Sequence, residues 1–380
     1  MRTATTILAV CVAALLVLGS VVLYSAVNPS NPRLFSSQMV NLVIGLCCCV
    51  TLALIDYRRW KGWTAWVGYG AAVVLLVLVF APVVGVESNG AHRWVRFGGF
   101  QLQSSELAKL ALIVALAAFV DRHQRKIGTF KHGILFTGLI IGPVLGLILI
   151  EVDIGTTLTL GAVTGIMLLV AGVRWLHALP IACAALIALT AVVATNENRM
   201  QRIEALFHPD RHAGGMADQS VNSVYALSVG GLTGAADLGD NPFRAGARRG
   251  VPLHYSDFIF SAVGVEGGLV ATLSTVLLFT IFLGCGVYVA WHARDMFGML
   301  VATGITFFIC LQAFIHMGVG TGMLPSKGFP LPFFSHGGTN LIFNLAGVGL
   351  LFSIARFGVT RVKSKNPFDR HIDVPVAEAA

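Results

Sequence analysis

Charge is what this sequence has least of: Asp, Glu, Lys and Arg together make up 12% of 380 residues, about half of what soluble domains carry. A water-soluble fold is thereby excluded, because the hydrophobic fraction is 56% and too few polar side chains remain to cover it. Paired cysteines are also lacking. Cys11, Cys47, Cys48, Cys49, Cys183, Cys285 and Cys310 all lie inside apolar runs, so they read as small packing residues and not as a disulfide framework or a metal site. No internal repeat or low-complexity tract is evident. The surplus of positive charge, +8, is scattered in short clusters between apolar runs, which argues against a nucleic-acid surface.

What the chain does have is long apolar runs. A bilayer core about 30 Å thick needs roughly 20 such residues per helix, and the sequence predicts spans at about 5–27, 37–55, 63–84, 104–120, 132–150, 154–172, 175–195, 257–291, 296–317 and 338–357. The expected fold is all-α, a polytopic membrane protein of about ten transmembrane helices in one unit over residues 1–361. A long extracytoplasmic loop, about 196–256, joins helices 7 and 8, and a polar cytoplasmic tail, 362–380, is expected to be disordered. The first run is too long for a signal-peptide core and is read as an anchor. The eighth span predicts a break near Gly264, Gly267 and Gly268, and Pro143 or Pro180 a second irregularity.

If the helices alternate, Arg2, Arg58, Arg59, Lys61, Arg122, Arg125, Lys126, Lys131, Arg174, Arg294, Arg356, Arg361, Lys363 and Lys365 share one side. Lys and Arg are retained on the cytoplasmic side of short loops, so both termini are expected in the cytoplasm. The opposite side holds the unusual residues: Arg93, Trp94, Glu106, Lys109, Glu151, Asp153, Asp257, Lys327 and the segment from Ser335 to Asn340. Ionisable groups near a membrane core are costly and mark sites or pathways.

Each has a plainer reading. Glu106 and Lys109, three apart on one helix face, suit an ion pair. Asp153 opens a helix and suits a cap. The glycine pairs Gly230-Gly231 and Gly337-Gly338 suit either tight packing or a phosphate cradle of backbone amides. His336 suits a solvated loop histidine. Asp257, where the polar loop enters the eighth span, is either an N-cap or a half-desolvated carboxylate tuned towards a base.

Several segments in order resemble the SEDS (shape, elongation, division and sporulation) family of peptidoglycan glycosyltransferases, the family of FtsW and RodA. NGAHRW at 89–94 resembles its NGA-x-RW, QSSELAKL at 103–110 its QPSELAKL, and EVDIGTTL at 151–158 its E-P-D-x-GT. QSVNSVYALSVGG at 219–231 resembles the stretch ending in a double glycine, and SDFIFSAVGVEGGL at 256–269 resembles TDFIF-x-x-x-GEELGL. QAFIHMGVGTGMLPSKGFPLPFFSHGGTN at 312–340 resembles the family's last outer loop. Departures include Tyr255 in place of a histidine, Val265 in place of one glutamate, and SHGG in place of SYGG.

The resemblance implies polymerisation of lipid II, the undecaprenyl-pyrophosphate disaccharide-peptide, into β-1,4 glycan at the outer face of the bacterial inner membrane. It puts Asp257 in the position of the family's essential aspartate, as general base. Arg93, Glu106, Lys109, Asp153, Lys327, Ser335, Gly337 and Gly338 are the expected substrate-binding residues, with Arg248 or Arg249 standing in for a cation of the family's long loop. No cofactor is certain, and a divalent cation (Mg or Mn) is the candidate. Lys327 within LPSKG resembles the FtsW type, which points to division. A class B penicillin-binding transpeptidase is the implied partner, alongside other division or elongation proteins. Two rival readings are a lipid II flippase and a non-catalytic division scaffold.

Overall fold

A computed structural model describes residues 1–27, 32–81, 85–88, 91–97, 100–195, 200–201, 204, 206, 216–234, 257–325 and 328–358. Arg248, Arg249, Lys327 and the tail 362–380 lie outside these residues. The protein is a polytopic helical membrane protein. Its long helices are α1 (Arg2–Val27), α2 (Pro32–Leu54), α3 (Trp63–Leu78), α4 (Ser104–Arg122), α5 (Phe136–Ile150), α6 (Ile154–Val170), α7 (Trp175–Ala194), α8 (Met216–Val229), α9 (Ile259–Trp291), α10 (Met296–Gly320) and α11 (Thr339–Phe357). All but α8 fall on the ten predicted spans. Among the described residues, six segments are long and apolar enough to cross a membrane: α1, α2, α5 with its π-helical lead-in from Lys131, α9, α10 and α11. α3 and α6 are apolar but shorter.

α10 forms the centre, with 78% of its apolar window buried against 22% for α2 at the periphery. It packs against α4, α6, α9 and α11. Small residues let these helices approach, as expected where lipid supplies no hydrophobic drive. A Cβ on Gly349 of α11 would lie 2.5 Å from the Cys49 carbonyl of α2.

Three cross-helix bonds fix the helix directions. Asp121 at the end of α4 accepts from the Phe297 amide at the start of α10 (3.1 Å). Thr339 at the start of α11 accepts from the Gln103 amide beside the start of α4 (3.3 Å). Ser353 late in α11 donates to the Ile55 carbonyl after α2 (2.6 Å). Helices α2, α4 and α11 therefore end, and α10 begins, at one end of the bundle, which the clusters Arg58-Arg59-Lys61, Arg122-Arg125-Lys126 and Arg294 share and which is called the basic end below.

The opposite end carries an element that the sequence reading did not foresee. Helix α3 stops at Leu78, short of the predicted 84, and the chain forms a three-stranded antiparallel sheet: β1 (Gly85–Ser88), β2 (Ala91–Phe97) and β3 (Phe100–Gln103). Val95 pairs with Leu102 and is itself fully buried, packed with Leu75, Val79 and the partly buried Leu107, which seats the sheet on the ends of α3 and α4. Strands this short, in a glycine-rich stretch, leave no alternation long enough to read.

The expected break in the eighth span is present. Gly268 interrupts α9 with φ 62° and ψ −157°, a conformation open to glycine at little cost. The amides freed around it are satisfied by the turn after α8: Leu269 donates to Gly231 (2.9 Å) and Val270 to Leu232 (3.2 Å). A Cβ on Gly230 would lie 1.9 Å from the Gly264 carbonyl, so this glycine pair serves tight packing. No comparable break marks the prolines, since α5 continues through Pro143 and α7 through Pro180.

Candidate functional site

Asp257 stands in the turn that opens α9, half-buried, at the sheet end. Its carboxylate lies directly against the backbone at Gly328, where an added Cβ would meet Oδ2 at 2.7 Å. A side chain at 328 would have to displace the carboxylate from this position.

That loop, Gly328 to Gly338, is sewn into the bundle by buried side chains of two other helices. His316 bonds through Nδ1 to the Phe329 carbonyl, Gln312 donates to the Pro330 carbonyl (2.8 Å), and Gln38 of α2 donates to the Ser335 carbonyl (3.2 Å). Ser335, 3% exposed, accepts from the Leu331 amide through its hydroxyl (2.7 Å). Phe333 takes a left-handed φ of 69°, as does Gly338 at 45°. Gly337 accepts from the Asn340 amide (2.8 Å), so the Gly337-Gly338 pair forms the turn into α11. His336 is partly buried, and burial pulls its imidazole below the usual range.

The far end of the loop reaches the ion pair. Lys109 Nζ lies 2.7 Å from Glu106 Oε1, and both side chains are buried. Asn340 donates to the same oxygen (3.1 Å) and accepts in turn from Asn344 (2.9 Å). The ammonium also sits 4.6 Å above the Phe308 ring, a cation–π contact. Beside the pair, Leu110, Ile113, Phe308 and Phe343 line a small cleft between α4, α10 and α11. The local i,i+3 pairing read from sequence is present, and it is wired to α11.

Arg93 on β2 holds the turn between α5 and α6, donating through Nη2 to the Val152 carbonyl (2.8 Å) and through Nε to that of Glu151 (3.4 Å). Val152 has a strained φ of 64°. Asp153 is buried and caps α6, accepting from the Thr156 amide (3.2 Å) and hydroxyl (2.8 Å). The capping reading accounts for both oxygens. Glu151 is also buried and accepts from Ser104 Oγ (2.9 Å), while its Oε2 has no partner among the described residues. Burial pushes its carboxyl up to about 8, Ser104 opposes this, Asp153 adds to it, and Arg93 pulls it back.

The structure thus brings Arg93, Glu106, Lys109, Asp153, Ser335, Gly337, Gly338 and Asp257 to one end of the bundle. Gln38, Gln312, His316 and the burial of Glu151 were not foreseen. Of these only Glu151 gave a signal, as an acidic residue beside a cap in an otherwise apolar region. Among the described residues, no three His, Cys, Asp or Glu side chains converge as metal ligands.

Comparison with known proteins finds relatives over nearly the whole chain. The family model for FtsW, RodA and SpoVE, described as cell cycle proteins, matches residues 5–359. A probable peptidoglycan glycosyltransferase FtsW from Geobacter metallireducens is 35% identical over 357 residues, covering 92% of this chain and 93% of that protein. Stage V sporulation protein E of Bacillus subtilis is 32% identical, covering 84% and 86%. Among solved structures, a chain of a peptidoglycan synthase complex that coordinates polymerization and crosslinking superposes with a TM-score of 0.76 at 30% identity, covering 92% of this chain and 96% of that one. The rod shape determining protein RodA of Thermus thermophilus gives 0.70 at 29% identity, covering 93% and 97%.

Proposed function

Because the chain belongs to the family of FtsW, RodA and SpoVE cell cycle proteins, we propose that it is a peptidoglycan glycosyltransferase that polymerises lipid II into β-1,4 glycan. Asp257 acts as general base: it takes the proton of the acceptor 4-hydroxyl as that oxygen attacks the donor's anomeric carbon. Undecaprenyl pyrophosphate leaves with the bond's electrons. A single displacement inverts an α-linked donor to a β product, so one base suffices and no covalent intermediate is needed.

The observation that carries this reading is the Asp257 carboxylate, half-buried and pressed against Gly328, at the end of the bundle opposite the basic belt. Partial desolvation at such an edge suits a base working near neutral pH. The leaving pyrophosphate needs positive charge. Lys109 is held by Glu106 and Arg93 by two carbonyls, whereas Lys327 immediately precedes the glycine that touches the base; it is the favoured cation, with Mg or Mn as an alternative carried in by the pyrophosphate. Ser335, Gly337 and Gly338 belong to the loop between Gly328, beside Asp257, and Asn340, at the ion pair, and are assigned to holding substrate; Arg248 or Arg249 of the long loop is assigned to holding donor phosphate. Lys327 in LPSKG supports a division role.

The Lys and Arg belt supports an inner-membrane topology with the basic end and both termini in the cytoplasm and the site outside. A class B transpeptidase closes crosslinks on the new strand, in keeping with the synthase complex that this chain resembles. A flippase would need ionisable groups through the bilayer depth. Among the described residues Glu106, Lys109, Glu151 and Asp153 are buried at the sheet end and the Asp121 side chain at the basic end; buried charge at the helix ends favours transfer over transport.

The test is purified protein with its transpeptidase partner, given lipid II in detergent, with the products resolved by length. Wild type yields polymer and Asp257→Ala yields at least about a hundredfold less. Lipid movement across vesicles without polymer would overturn the reading in favour of a flippase, and partner recruitment with neither activity in favour of a scaffold.

A further inference from the structure

Backbone carbonyls inside a membrane bundle need donors, because no water is at hand to supply them. The loop beside Asp257 meets this need in an unusual way. Gln312 and His316, four residues apart on one face of α10, are each 1% exposed and bond to successive carbonyls, those of Pro330 and Phe329. A carbonyl can only accept, so the His316 hydrogen resides on Nδ1. Nε2 is then the bare nitrogen, and it has no partner among the described residues, nor does Gln312 Oε1. Both side chains spend their donors on the loop and leave buried acceptors unsatisfied, an arrangement that lowers stability and calls for an explanation.

The clamped carbonyls lie one and two residues beyond Gly328, whose Cα leaves no room for a methyl group against Asp257 Oδ2. A loop free to move by an ångström there would release the carboxylate from its setting, and misplacement on that scale is costly in catalysis. We propose that Gln312 and His316 are positioning residues for sugar transfer: by holding the Phe329 and Pro330 carbonyls they fix Gly328 against Asp257 and so set the direction of the base. This rests on the glycosyltransferase reading above.

Asparagine at position 316 would carry its Nδ2 on Cγ, as histidine carries Nδ1, and so keeps the donor; leucine removes it at similar bulk. Expected for His316→Leu is a kcat for lipid II polymerisation roughly tenfold or more below wild type, with KM within about twofold. Amide exchange across 328–335 should rise alongside. His316→Asn should restore both, and Gln312→Met should repeat the loss, which keeps the test available if the leucine variant does not fold. A wild-type kcat in both donor-less variants, unchanged exchange in the loop, or failure of asparagine to restore the rate overturns the proposal. Wild-type protein that makes no polymer defeats the glycosyltransferase reading by itself, and the exchange measurement still decides whether these side chains hold the loop.

Discussion

The two ends of the bundle are built from the same kinds of residue and use them differently. At the basic end, Lys61 reaches Asp121 (2.5 Å) and Asp295 (3.9 Å), Tyr57 donates to Asp295 (2.7 Å), and Arg58 donates to the Phe357 carbonyl (3.4 Å). Asp295 also caps α10 through the Gly298 amide (3.3 Å). These are straps between helix ends with their acceptors satisfied; Lys61 is exposed, while Tyr57 and the Asp121 side chain are buried. At the sheet end the charges are buried, Val152 and Phe333 hold left-handed backbone, and Gln38, Glu151, Gln312 and His316 each leave a buried polar atom unmatched. Strain and unmet hydrogen bonds persist where something other than stability maintains them. Trp60 Nε1 and His177 Nδ1, beside basic-end arginines, are also unmatched among the described residues, so the contrast rests on the ion pair with both partners buried and on the left-handed non-glycine backbone, which among the described residues occur at the sheet end.

The largest effect that tests this contrast is expected at Glu106 and Lys109. Breaking a buried pair leaves one charge uncompensated, at a cost of about 3–5 kcal/mol, so Lys109→Met alone should sharply lower the yield of folded protein in detergent. The double change Glu106→Gln with Lys109→Met removes both charges and leaves an amide to accept from Asn340, and should recover most of that yield. Polymerisation by the recovered double variant then separates the two roles. Activity near wild type would make the pair a fastening like those of the basic end, and activity lost despite folding would place it in the site.

A smaller effect should follow pH at Glu151. The folded state holds the proton up to about 8, whereas an unfolded carboxyl releases it near 4.5. Below that lower value the group contributes nothing to the pH dependence. Between the two limits the folded state binds more protons than the unfolded one, so stability falls as pH rises, and above about 8 the loss is complete. The facing groups, Arg93, Asp153 and Ser104, stay in place in Glu151→Gln. That variant should flatten the decline in thermal midpoint between about pH 5 and 8, removing a penalty of up to a few kcal/mol. An unchanged slope would mean that Glu151 is solvated and that the buried orphan oxygen does not exist in solution.

Sequence made the two ends legible to different degrees. The ten helices could be located because each sits on a largely apolar run, six of them long enough to span, and a broken α9 because three glycines cluster within five positions. The Asp153 cap and the Glu106–Lys109 pair were legible because their partners lie three residues away. The sheet was not, since its strands run only 4 to 7 residues. Neither was the clamp on the last loop: Gln38 and Ser335 are 297 positions apart, and nothing local to a glutamine announces which carbonyl it will meet. The straps of the basic end were hidden likewise, their basic residues being read for topology and not for pairing.

The smallest effect is expected at those straps. The Lys61 side chain is 40% exposed, so its attraction to Asp121 is screened and opposed by the entropy of holding a long side chain still, and such pairs contribute about 0–1 kcal/mol. Asp121 keeps two other partners, the Phe297 amide (3.1 Å) and the Gln124 amide group (3.2 Å), when the lysine is gone. Lys61→Ala should therefore lower stability by less than about 1 kcal/mol and leave the rate of polymer formation within about twofold of wild type. A large fall in rate with unchanged stability would break the division drawn between the ends. Lys61 bridges α4 and the start of α10, and these two helices run on to Ser104 and to Gln312 and His316, so a rate effect at Lys61 would have to travel along them, and the basic end would be part of the catalytic device.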